Sequence, residues 1–367
     1  MAPFDESDPE GVRAGVEDVL AEHLAQQRVL YTAIGAAAAP LADAFTVMLE
    51  RGKRLRPSFC YWSFRAHGGH AGSPEAAATL HVGAALELFQ AAALFHDDVM
   101  DASDTRRGRP TAHRAFAARH AAEGWTGDPD RFGESVAILL GDLALAASES
   151  EFARASVTFA PESAQAAREV FDLMRTEVTV GQFLDVLAQA APWGDDPAAD
   201  EARAREVIRA KSARYSVEHP IVLGAALAGA GTAQLDAMRA VGLPLGEAFQ
   251  LRDDLLGVFG DPAVTGKPAG DDMREGKRTV LVARAMALAT PDERAQLTRG
   301  LGDRSLGADE VSRLAAILER SGAAAQVEDL ITELVDTALA RLDAAGLNEP
   351  GASMLRRLAR AAVERSA

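Results

Sequence analysis

His96-Asp97-Asp98-Val99-Met100-Asp101 closes an Ala- and Leu-rich stretch that begins at Ala76, and that composition predicts a helix over Ala76–Val99. On a helix, residues i and i+4 share a face, so Asp97 and Asp101 point the same way and Asp98 lies about 100° round. Carboxylates held this close repel one another unless cations join them. Basic residues follow at once, in Thr105-Arg106-Arg107-Gly108. A second cluster reads Gln250-Leu251-Arg252-Asp253-Asp254-Leu255-Leu256-Gly257. Gly266-Lys267, Gly270-Asp271-Asp272 and Gly276-Lys277-Arg278-Thr279 come after it. Hard oxygen ligands favour Mg2+, which binds through one or two carboxylates together with substrate phosphates. Arg and Lys beside such acids point to a phosphorylated anion as the remaining ligand.

Outward from these clusters the chain reads as all-α. Further helices are predicted over Val16–Ala33, Leu41–Glu50, Arg56–Ala66, Ala112–Ala122, Gly133–Phe159, Pro161–Val186, Ala202–Gly224, Thr232–Phe259, Lys277–Ala289, Ala308–Ser321 and Ala324–Ala345. Gly- and Pro-bearing breaks separate them, and Glu123–Asp130 reads as a surface loop. No alternating strand pattern of useful length stands out. Both Asp clusters are expected to meet across one pocket. The expected architecture is therefore one large helical bundle around a central active-site cavity, spanning residues 13–367, with residues 1–12 a disordered tail.

The 367 residues carry a net charge of −16, which argues against nucleic acid or an anionic membrane surface as a partner. The same charge repels a diphosphate, so local Lys, Arg and Mg2+ must overcome it. Cys60 is the single cysteine, which excludes an internal disulfide and fits a reducing cytoplasm. Residues 1–10 are acidic and lack the basic and apolar regions of a signal peptide. No transmembrane segment is expected. Ile221–Gly231, apolar but short and small-residue-rich, reads as a tightly packed interior helix.

Taken in order, these motifs resemble those of the trans-type isoprenyl diphosphate synthases, the polyprenyl synthetase family, from about Gly52 to Thr279. Gly52-Lys53-Arg54-Leu55-Arg56-Pro57 is similar to the family's first basic motif. Asp97-Asp98-x-x-Asp101 with Arg106-Arg107 is similar to its first Asp-rich motif. Gly181-Gln182-x-x-Asp185, Lys211-Ser212 and Phe249-Gln250-x-x-Asp253-Asp254 follow. The resemblance implies an isoprenoid-synthase-like fold and Mg2+-dependent chain elongation, in which an allylic diphosphate ionises and isopentenyl diphosphate attacks. It implies three Mg2+ ions on Asp97, Asp101 and Asp253, with Asp98 orienting the site. Arg106, Lys211, Lys267 and Lys277 would surround the allylic diphosphate. Lys53, Arg56 and Arg107 would hold isopentenyl diphosphate, with Gln90 or Arg54 as a lesser contact. The Lys211 carbonyl, the Ser212 hydroxyl and the Gln250 amide oxygen would face the nascent cation, and Asp185 would orient a Lys or a water. A homodimer is implied.

One departure is Gly257, where the family usually has an acid four residues after Asp253; Asp261 stands as a substitute. Chain length is read from the helix before Asp97, where Ala93 and Phe89 lie roughly 6 and 12 Å down the axis. Ala93 and Ala92 leave the upper pocket open and Phe89 forms its floor, which suits geranylgeranyl diphosphate. Farnesyl or C25–C35 products stand as alternatives, as do a class I terpene cyclase and a regulatory synthase subunit. His96 reads as a packing residue. His67, His70, His81, His113 and His219 show no metal-ligand spacing.

Overall fold

Asp8 accepts hydrogen bonds from the backbone N–H groups of Val12 and Arg13, at 2.8 and 2.9 Å, and so starts helix α1 (Val12–Ile34). The first turn of any helix has N–H groups without intrahelical partners, and this carboxylate satisfies two of them. Glu10 accepts from Tyr61 at 2.7 Å and from Arg65 at 3.0 Å. Residues 8–12, assigned above to a disordered tail, are thus held. The computed structural model describes residues 8–50, 52–194, 196–260 and 270–364.

The elements that follow are α2 (Ala39–Leu49), α3 (Leu55–Ala66), α4 (Pro74–Met100), strands β1 (Thr105–Arg106) and β2 (Arg109–Pro110), α5 (Ala112–Ala122), α6 (Pro129–Ser156) and α7 (Pro161–Ala190). Next come α8 (Pro197–Val207), a π-helical segment (Ile208–Glu218), α9 (His219–Leu227) and α10 (Thr232–Phe259). The chain ends with α11 (Asp271–Glu275), α12 (Val280–Leu288), α13 (Pro291–Gly300), α14 (Ala308–Arg320), α15 (Ala323–Ala344) and α16 (Gly351–Val363). The fold is all-α, as expected, with three local corrections. A two-stranded hairpin stands where no strand was expected. The predicted helix Ala202–Gly224 is interrupted by the π-helical segment. Helix α6 starts at Pro129, inside the expected loop, because Asp128 accepts from the Asp130 N–H and Pro129 stands in the first turn. Helices α13 and α16 lie outside the predicted spans, although the sequence signals α13: Thr290 and Glu293 form a reciprocal capping box around Pro291.

The chain divides into two compact units. The first comprises Met1–Arg168, Pro220–Gly231 and Leu347–Leu355. Helix α4 is central to it, packed by α1, α3 and α6. Ser73 caps its N-terminus and Pro74 opens its first turn. Leu88, Ala91, Ala92 and Phe95 of α4 pack with Phe45, Leu140 and Ala144 in one buried cluster. The Phe45 and Phe95 rings meet edge to face at 5.6 Å, each burial worth about 1.5–3 kcal/mol. Helix α4 is also long and apolar enough to cross a membrane, but 72% of its most apolar window is buried inside the protein, as befits a core helix. Ile221–Leu227 is buried throughout, but the expected interior helix stops there, and residues 228–231 form a turn with Gly229 and Gly231 exposed.

The second unit comprises Glu169–His219, Thr232–Gly346 and Arg356–Ala367. Helix α10 packs on the π-helical segment and on α15, and α12 packs on α8. The buried Glu247 of α10 pairs with Arg205 and Arg209 at 2.7 and 2.6 Å.

Candidate active site

In the first unit, Asp97 and Asp98 occupy the last turn of α4 and Asp101 is its C-terminal cap. This is the unfavourable end for anions, because the helix dipole places partial negative charge there. A cation must offset it, and the hairpin delivers one. Arg106 holds Asp98 through two guanidinium nitrogens, Nε at 2.7 Å and Nη2 at 2.6 Å, and lies 3.6 Å from Asp97. Asp98 and Asp101 are buried, whereas Asp97 is half-buried.

The hairpin explains how adjacent arginines take different partners. Thr105 pairs with Pro110 and Arg106 with Arg109, leaving Arg107-Gly108 as a two-residue turn. Both residues have positive φ, 53° and 74°. That is the signature of a type I′ turn, whose twist matches the flanking strands. Arg107 takes different partners from Arg106: its Nη1 donates to the carbonyls of Glu50, which caps α2, and Met48 at 2.7 and 3.4 Å. Burial pulls the Arg107 guanidinium below its ordinary pKa; Glu87 counteracts this, while Arg106, Arg54 and Arg56 add to it. Lys53 is exposed, and Gln90 is half-buried on α4.

Arg54 lies elsewhere than the lesser-contact role allowed. It is buried, with Nη1 on Glu87 at 2.7 Å and Nη2 on the Leu49 carbonyl at 2.5 Å. Arg54, Ala102 and Arg107 are the non-glycine residues with positive φ among the described residues. A left-handed conformation costs an L-residue about 1–2 kcal/mol, and all three lie in or beside the motifs.

Of the chain-length residues, Phe89 is buried and Ala93 half-buried. Each is displaced by about 40° from the next along Phe89, Ala93 and Asp97, so the three share a face. Ala92 does not. It belongs to the buried core cluster, about 100° from Ala93. His96 approaches the Ile138 carbonyl at 3.2 Å.

In the second unit, Lys211 and Ser212 fall inside the π-helical segment, a feature that recurs at functional sites. Lys211 Nζ donates to Asp185 Oδ2 at 2.6 Å. Gly181 allows this approach: a Cβ there would lie 2.4 Å from the Lys211 backbone nitrogen. Gln250 donates its amide N–H to Asp254 at 2.8 Å, leaving the amide oxygen as the end able to turn toward a cation. Asp254 is buried, and burial pushes its carboxyl up to about 8, with Asp272 and Asp253 reinforcing and Gln250 and Lys277 opposing. Lys277 lies 2.9 Å from Glu275 and 3.6 Å from Asp272. Lys267 and Asp261, both expected to contribute, lie outside the described residues, as does Gly266.

Among the described residues, no group of three or more His, Cys, Asp or Glu side chains forms a metal cage. Dispersed hard carboxylates beside arginine and lysine are the donor set of an ion shared with a phosphate ligand, and they fit Mg2+.

An all-helical fold with Asp-rich motifs on α4 and α10, each with basic side chains nearby, defines a trans-prenyltransferase of the isoprenyl diphosphate synthase type. The chain belongs to the polyprenyl synthetase family, whose profile matches residues 39–318. It is 34% identical over 273 residues to the geranylfarnesyl diphosphate synthase of Aeropyrum pernix, covering 74% of this chain and 77% of that protein. It is 32% identical over 307 residues to the geranylgeranyl diphosphate synthase of Mycobacterium tuberculosis, covering 82% and 77%. Among solved structures, a geranylgeranyl pyrophosphate synthase of Corynebacterium glutamicum, complexed with isoprenyl diphosphate and magnesium, matches with a TM-score of 0.90. The identity is 39%, over 97% of this chain and 99% of that one.

Proposed function

We propose that this enzyme condenses isopentenyl diphosphate with allylic diphosphates in the presence of Mg2+, and that its main product is geranylgeranyl diphosphate. The observation that carries the reading is the placement of Asp97, Asp98 and Asp101 at the negative end of α4, offset by Arg106. Such a placement is costly unless it serves to bind cations and the anion they accompany. The relatives named for geranylgeranyl products support the length assignment.

In this proposal Asp97, Asp101 and Asp253 hold three Mg2+ ions, which neutralise the diphosphate leaving group. Arg106, Lys211, Lys267 and Lys277 bind the allylic diphosphate. Asp185 holds the Lys211 ammonium in place. Lys53, Arg56 and Arg107 bind the second diphosphate through protein cations, so that substrate does not ionise. The Ser212 hydroxyl, the Lys211 carbonyl and the Gln250 amide oxygen present electron-rich atoms to the allylic cation. The departing diphosphate takes the proton. Phe89 limits the growing chain, with Ala93 above it; Ala92 acts only by packing. Residues 13–367 act as one catalytic domain.

A homodimer and a cytoplasmic location complete the proposal. Leu173, Val180 and Leu187 recur on α7 every seven residues, with Phe183 three residues after Val180, and the four are 47%, 51%, 49% and 64% exposed. Such a seam suits helix–helix association. Cys60 is the lone cysteine, which suits a reducing compartment; it is buried, and burial pushes its thiol up to about 12.

The test is incubation of purified protein with isopentenyl diphosphate, Mg2+ and each allylic primer in turn, followed by product-length analysis. A dominant C20 product supports the proposal. A dominant C15 product or one of C25 or longer overturns the length assignment, and no condensation overturns the substrate assignment.

A further inference from the structure

Helix α10 carries Asp253, and one turn further on, on the same face, stands Gly257. The missing side chain leaves no void. A Cβ built on Gly257 would lie 2.0 Å from Asp272 Oδ2 and 2.7 Å from Asp272 Cγ. The Asp272 carboxylate therefore occupies the space in which a side chain at position 257 would begin.

Backbone contacts hold it there. Gly270 N donates to the Gly257 carbonyl at 3.2 Å, tying the start of α11 to α10. Gly270 has φ 73°, a conformation that suits glycine. Met273, next to Asp272, is buried. The Asp272 carbonyl accepts from Lys277 N at 3.0 Å, and its carboxylate lies 3.6 Å from Lys277 Nζ.

We propose that Asp272 supplies, from α11, the carboxylate that position 257 lacks, and that Gly257 is the seat that admits it. Asp272 is then a positioning residue. It adds negative charge on the Asp253 face, where the second Asp-rich motif meets Mg2+, and together with Glu275, 2.9 Å from the same ammonium, it keeps Lys277 beside that charge. A glycine at position 257 thus marks relocation of the carboxylate rather than its loss. This inference rests on the Mg2+ reading proposed above.

The test is calorimetric titration of Mg2+ into the full chain in the presence of inorganic diphosphate, with thermal melts run alongside. Asp272→Asn is nearly isosteric and should weaken Mg2+ binding about tenfold, the scale for a group that supports metal ligands. Gly257→Asp should clash with Asp272 and lower the melting temperature. The double variant Gly257→Asp/Asp272→Gly moves the carboxylate across and should restore Mg2+ affinity to within about threefold of wild type. Wild-type affinity in Asp272→Asn overturns the proposal, as does a folded double variant that binds no better than Asp272→Asn. If the double variant fails to fold, Asp272→Asn alone decides. A wild-type protein that binds no Mg2+ with diphosphate overturns the metal reading itself, and this inference with it.

Discussion

Replacing Arg106 with methionine would remove the cation that faces the carboxylates of the first Asp-rich motif. The ion pair it forms with Asp98 is close, at 2.6 Å, with the acid 1% and the arginine 17% exposed. Charge centres about 4 Å apart at an effective dielectric of about 20 interact by roughly 4 kcal/mol. Solvent at the arginine reduces this, and about 3 kcal/mol is expected, near the lower end for stripping one partner from a buried pair. In a unit of this size that corresponds to a fall in melting temperature of roughly 6–12 °C. Arg106→Lys should recover part of it, since one ammonium cannot reproduce the two-nitrogen fork. Asp98→Asn with Arg106→Met should be less destabilised than Arg106→Met alone, because no buried charge is then stranded. The assay is thermal melting of the four proteins in metal-free buffer, with chemical denaturation for the free energies. A loss below about 1 kcal/mol for Arg106→Met, or a double variant less stable than that single, would refute the reasoning that Arg106 offsets a charge-burdened helix end.

Four further outcomes follow from the same geometry. Asp97→Ala or Asp253→Ala should lower turnover by about two orders of magnitude or more in saturating Mg2+, and near-normal turnover in steady-state assays would remove these acids from the metal assignment. Arg56→Ala should raise the KM for isopentenyl diphosphate more than the KM for the allylic primer; the opposite order would reassign the cation. Phe89→Ala should lengthen the product and Ala93→Phe shorten it toward C15, while an unchanged distribution in both variants would place the floor elsewhere. Burial alone would raise the Glu151 carboxyl, but hydrogen bonds from His23 and His81 outweigh it and hold it at about 2, below the ordinary 4.5. A depressed carboxylate stabilises the fold above its unfolded pKa and loses that contribution as pH falls toward 2. Melting temperature should therefore drop more steeply from pH 4.5 to 2 in the wild type than in Glu151→Gln, and parallel profiles would contradict the linkage.

The sequence by itself determined the helical class, most helix spans and the identity of the chemical groups. The reasons are local: Ala and Leu favour helices, Pro and Gly interrupt them, and spacing of four residues sets Asp97 and Asp101 on one face. Even α13, outside the predicted spans, is announced by its capping box. What the tertiary structure decided depends on residues far apart in the chain. Arg106 binds Asp98 while Arg107, at positive φ in a two-residue turn, binds the Glu50 carbonyl, and neighbour-to-neighbour reading saw only a basic pair. Arg54 looked like one more cation of its motif, until Glu87 and the Leu49 carbonyl claimed it. Ala92 and Ala93 are alike in sequence, yet packing sends one to the core. Gly257 read as a missing acid because the side chain filling its place comes from Asp272, fifteen positions later and on another helix. Local propensity is written residue by residue, whereas which carboxylate fills which space is settled only when distant segments pack.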